Sequence, residues 1–176
     1  MNASSTLTYS LIGLAISLVG TVAAAQTLPK IKAGLWETTM TTIDGAKKSQ
    51  AVFSTQCFDN SVLEQMFKMG SSMMGASCTK NTVQIAGNKV TGYSECKMAG
   101  SVVTSTTETT FESDVSYRTE SKSTFSPPLY GSKENSTVAQ VKHLGACKPG
   151  MKLGDVTTGP VTVNLLDMAN SMKAKK

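Results

Sequence analysis

Apolar and polar residues alternate through much of the chain at the two-residue period of half-buried strands, and two apolar stretches break from it. The strand-like pattern opens at Gly34–Ile43 (GLWETTMTTI), turns at Asp44-Gly45, and returns over Ser49–Phe58. Asp59-Asn60-Ser61 then lead into Val62, with Glu64 three residues after Ser61. That capping box opens a helix predicted over Val62–Met74, ending near Gly75. Two β-prone segments around Ala86-Gly87-Asn88 form a hairpin, and Ala99-Gly100 makes a further turn.

Two long polar strands follow, Val102–Glu112 and Val115–Phe125, turning around Ser113-Asp114. Centring that turn on Ser113 places Glu108 opposite Arg118 and Thr104 opposite Lys122, an opposite-charge register worth a few tenths of a kcal/mol. The other face carries Val103, Phe111, Val115, Tyr117 and Phe125 among serines and threonines. Ser126-Pro127-Pro128 breaks the pattern into a loop to Ser136, and Thr137–Gly145 is the last strand. Pro149-Gly150, Gly154 and Gly159-Pro160 mark a turn-rich connector, and a basic tail follows. Leu165, Leu166, Met168, Ala169 and Met172 there share spacings that fit a short helix.

The other apolar stretch, Leu11–Val22, is shorter than the roughly 20 residues a membrane-spanning helix needs. Ala23-Ala24-Ala25 follows it in the small-residue pattern of a leader cleavage site, although no Lys or Arg precedes the run. The division predicted is therefore a signal peptide over 1–25, a single β-rich domain over 26–155, and a connector with tail over 156–176. The mature chain is expected in the periplasm or secreted. The fold expected is mainly β: an antiparallel meander or half-barrel of about seven strands, with one short helix packed against it and two disulfides.

Composition explains the need for cross-links. Only 6% of the 176 residues are aromatic and 16% charged, against about 25% charged in an average domain, so the core is poor in large rings. Cys57, Cys78, Cys96 and Cys147 form an even set in a chain read as exported, which favours disulfides. A hairpin centred on Gly87 places Cys78 directly across from Cys96, leaving Cys57 to pair with Cys147. No C-x2-C or C-x4-C spacing points to a metal site. The net charge of +5 comes from scattered lysines with Arg118 as the only arginine, which predicts no nucleic-acid partner.

Gly34-Leu35-Trp36-Glu37, Cys57-Phe58 before a helix, and Lys142-His143-Leu144-Gly145-Ala146-Cys147 occur in that order. Together with the Cys78–Cys96 pair and Met151–Asp155 they resemble the exported bacterial family named domain of unknown function 3617, over about residues 31–155. His143 stands where that family usually has arginine, and Ala146 where it has aspartate. The resemblance implies an envelope location and a β-rich fold. It implies no catalytic residue.

Three candidate sites remain. Met66, Met69 and Met73 share a helix stripe whose thioethers suit Cu(I), or simply pack on the sheet. His143, the sole histidine, lacks a neighbouring nucleophile motif and reads as structural. Trp36, with Phe111 and Tyr117, either anchors the core or floors a ligand cavity. The function expected is a non-catalytic binding or envelope-accessory role toward a lipophilic or peptide ligand, with no cofactor. The alternative is periplasmic copper handling through the methionines.

Overall fold

The computed structural model describes residues 27–173. Its strands are β1 (Gly34–Asp44), β2 (Lys47–Lys48), β3 (Val52–Phe58), β4 (Cys78–Ala86), β5 (Lys89–Met98), β6 (Ser101–Ser113), β7 (Ser116–Leu129), β8 (Ser132–Gly145), β9 (Asp155–Thr158) and β10 (Val161–Asn164). Helix α1 (Asn60–Ser77) lies between β3 and β4, and α2 (Leu165–Lys173) follows β10. All ten strands belong to one antiparallel sheet in the order β10-β9-β3-β1-β8-β7-β6-β5-β4, with β2 paired to β1. The sheet does not close, and β10 and β4 are its two edges.

The expected strand count of about seven is corrected to ten. The additions are the two-residue β2 and the β9–β10 hairpin, whose turn is the Gly159-Pro160 pair read as connector. The stretch 1–25 read as a signal peptide lies outside the described residues, as does the end of the basic tail, 174–176. Among the described residues no helix is long and apolar enough to cross a membrane.

Both disulfides form as paired from the sequence, Cys57–Cys147 and Cys78–Cys96. The hairpin arithmetic behind the second needs amendment. The turn is the two-residue Gly87-Asn88 pair, so Lys80 opposes Glu95, and a bulge between Cys78 and Lys80 restores the cysteines to direct opposition. Gly87 (φ 59°) takes the first turn position, where a hairpin needs a residue free to adopt positive φ.

The β6–β7 register also departs from expectation. The turn is Asp114-Val115, so Glu108 faces Glu120 and Arg118 faces Thr110. The slip is two residues, so each side chain keeps its face, and Phe111 still shares one with Val103, Tyr117 and Phe125. Strand β7 runs on through Ser126-Pro127-Pro128, where a break was expected. Pairing with β6 ends at Val102 with Ser126, so neither proline has to donate to that neighbour.

One sheet face carries the core. Trp36, Phe58, Phe111 and Val141 pack against Val62 of α1 and Ile31, with Leu63, Met66, Val90, Tyr117, Val156, Leu165 and Leu166 around them. These positions crowd the end of the sheet where β1 begins and β3 ends. The opposite face is polar and ion-paired through Lys80–Glu95 (3.1 Å), Lys89–Glu108 (2.7 Å) and Lys122–Glu134 (4.0 Å). Helix α1 starts two residues earlier than its capping-box reading requires. The cap is Asp59, whose Oδ1 accepts from the Val62 N–H (2.9 Å), in place of Ser61.

Candidate functional site

Ile31 is buried, and its backbone is held on both sides by Asn60: the Ile31 N–H donates to Asn60 Oδ1 (2.9 Å) and Asn60 Nδ2 donates to the Ile31 carbonyl (3.1 Å). The Lys32 N–H donates to the Asp114 carbonyl (2.7 Å). This double anchor ties the segment before β1 to the start of α1 and to the β6–β7 turn. Residues 27–30, just upstream, line one groove together with α1.

Between them lies a groove of about 830 Å³, lined by residues 27–30, by Asn60, Leu63, Glu64, Phe67 and Lys68 of α1, and by Ile85 and Gly87 at the tip of the β4–β5 hairpin. The helix residues fall at spacings of three and four, which is one stripe of α1. A neighbouring stripe, through Val62 and Met66, faces the core. The helix thus divides its apolar residues between two surfaces. Leu28, Leu63, Phe67 and Ile85 make the groove apolar and are each only part-exposed. Lys30, Glu64 and Lys68 supply its charge. Lys68 and Glu64 approach to 3.9 Å with both side chains largely in water, a pair of little strength. A groove of this volume, mainly apolar with few charges, has the proportions of a small-molecule site.

The residues singled out from the sequence lie elsewhere. Trp36, Phe111 and Tyr117 do come together, with ring centroids 5.7 Å apart for Trp36–Tyr117 and 5.2 Å for Phe111–Tyr117. Trp36 is fully buried and Phe111 nearly so, and they pack as core beneath α1. Burial pushes the Tyr117 hydroxyl up to about 12, the mark of a phenol surrounded by apolar groups. Met66 packs on that same core, Met69 is half-buried, and the Met73 side chain lies outside the described residues.

His143 faces Trp36 edge-on at 5.3 Å and its Nε2 lies 3.1 Å from the Ala33 carbonyl. The glycines of the two motifs meet beside it. Leu35 pairs with Gly145, a bulge follows, and a Cβ on Gly34 would overlap the Gly145 carbonyl oxygen. The lysine partners hold Glu95 and Glu108 below the usual carboxylate range, Glu95 through Lys80 and Glu108 through Lys89. Those carboxylates sit on the solvated face, spread along strands.

Sequence reasoning missed Leu28, Leu63, Phe67 and Ile85. A signal was present: Phe67 is four residues after Leu63 and lies off the methionine stripe, so one buried face could not account for every apolar residue of the helix. What covers that second stripe depends on where residues 27–30 run, and periodicity does not reach that far.

No curated protein matches the chain. A family model does, over residues 31–147, a span that takes in the Gly34–Glu37 motif, both disulfides, α1 and the Lys142–Cys147 motif. The chain belongs to the family described as protein of unknown function (DUF3617).

Proposed function

We propose that this chain is an exported, non-catalytic binding domain that holds a lipophilic ligand in the groove between residues 27–30, α1 and the β4–β5 tip. The observation that carries the reading is the groove itself: about 830 Å³ of space against the part-exposed apolar side chains Leu28, Leu63, Phe67 and Ile85. Apolar surface left facing water is costly, at roughly 25 cal/mol per Å², and a ligand that covers it recovers that free energy. Export is supported by the two disulfides, which persist in oxidising compartments.

The non-catalytic part of the reading has positive support as well. The four cysteines are bridged. The sole histidine is engaged with Trp36 and the Ala33 carbonyl. Solvent extraction of the protein purified from its own envelope fraction, followed by lipid mass spectrometry, tests the proposal. A co-purifying apolar molecule that is absent from a Phe67→Asp variant supports it. A clean extract, together with failure to load any amphiphile in vitro, refutes it.

A further inference from the structure

The charged residues lining the groove favour one class of occupant. Lys30 makes no ion pair among the described residues, and Lys68 has only its loose contact with Glu64 at 3.9 Å. Both lysines stand beside apolar wall residues, Lys30 next to Leu28 and Pro29, and Lys68 next to Phe67 on the helix. A lysine in that setting lays its methylene stem along the apolar wall and keeps its ammonium in water. The groove lining therefore combines apolar side chains with two lysines and one glutamate.

Size limits the occupant further. A methylene takes up about as much space as a molecule of liquid water, roughly 30 Å³. One chain of about 14–16 carbons then needs on the order of 450 Å³. It fits within about 830 Å³ with room for a head group, whereas two such chains, at roughly 900 Å³, leave no room for one.

We propose that the groove takes a single-chain amphiphile with an anionic head, a long-chain carboxylate being the simplest case, with a lysine of the lining, Lys30 or Lys68, meeting the head. This rests on the reading of the groove as a ligand site. The fully folded, disulfide-intact chain is titrated by calorimetry with laurate and myristate below their micelle-forming concentrations, and with the alcohols of the same length. Lengthening by two methylenes raises affinity roughly tenfold while the chain stays inside the trough. The carboxylates bind several-fold more tightly than the alcohols, since an exposed charge contact is worth up to about fivefold.

That preference disappears in Lys30→Glu/Lys68→Glu. It survives in Lys47→Glu/Lys48→Glu, a hairpin change of equal charge away from the groove. Equal binding of alcohol and carboxylate, or a preference untouched by the groove variant, overturns the anionic assignment while leaving an apolar ligand site standing. Tighter binding to vesicles of two-chain anionic phospholipid than to monomeric carboxylate overturns the single-chain assignment. Absence of binding by every chain overturns both this proposal and the reading on which it rests.

Discussion

Replacing Gly34 by alanine is expected to cost the fold far more than replacing Gly87, although both glycines have positive φ. Gly34 sits at φ 144° at the start of β1, where its neighbour Leu35 pairs with Gly145 just before a bulge. A Cβ there would overlap the Gly145 carbonyl oxygen and lie 2.6 Å from His143 Nε2. Sparsely populated backbone costs about 1–3 kcal/mol for a residue with a side chain. Forcing an extra carbon into a packed contact costs about another 1–3 kcal/mol. Gly34→Ala should therefore lose about 2–6 kcal/mol, centred near 4, a large part of the stability of a typical domain.

Gly87 sits at φ 59° with nothing within 4 Å of its would-be Cβ, so only the left-handed backbone penalty of about 1–2 kcal/mol applies. Urea unfolding followed through the emission of Trp36, the only tryptophan and fully buried, measures both variants in one assay. If the two alanines cost the same within about 1 kcal/mol at unchanged m, the close approach of the Gly34 and Gly145 motifs is wrong.

The disulfides should be unequal: separations of 90 and 18 residues give about 4.6 kcal/mol for Cys57–Cys147 and about 3 kcal/mol for Cys78–Cys96, read from double Cys→Ala variants by chemical denaturation. Asp59→Ala should cost about 1 kcal/mol through the lost α1 cap, and Asp59→Asn much less, by the same assay. Burial pushes the Asp59 carboxyl upward, but its hydrogen bonds from Ser61 and the Val62 N–H hold it below its ordinary value. A carboxyl depressed in the folded state contributes stability above its unfolded pKa and loses it as pH falls through the folded one. The gap between wild type and Asp59→Asn should therefore narrow below about pH 4. With Met66 committed to the core, calorimetric titration with Cu(I) under reducing conditions should show no stoichiometric micromolar site.

The disulfide pairing was legible because a short hairpin leaves few registers, and Cys78 meets Cys96 even though a bulge and a two-residue turn replace the simple centred turn. The β6–β7 register was not legible. A two-residue slip leaves every side chain on its own face, so hydrophobic pattern is blind to it and turn geometry alone decides. Strands β9 and β10 are four residues each, too short for alternation to stand out from turn residues. Trp36 was readable as an anchor from its rarity. The groove was not, because it exists only where Asn60 and Asp114 pin the chain beside α1 through contacts 29 residues or more apart in sequence.

Titration of a neutral fluorescent apolar probe, N-phenyl-1-naphthylamine, into wild type, Phe67→Asp and Ile85→Asp tests the groove most directly. Saturable one-to-one binding in the wild type is predicted, with loss of at least tenfold in affinity in both variants at unchanged unfolding midpoints. Non-saturating uptake, or equal binding by all three proteins, would contradict a ligand site between α1, residues 27–30 and the β4–β5 tip.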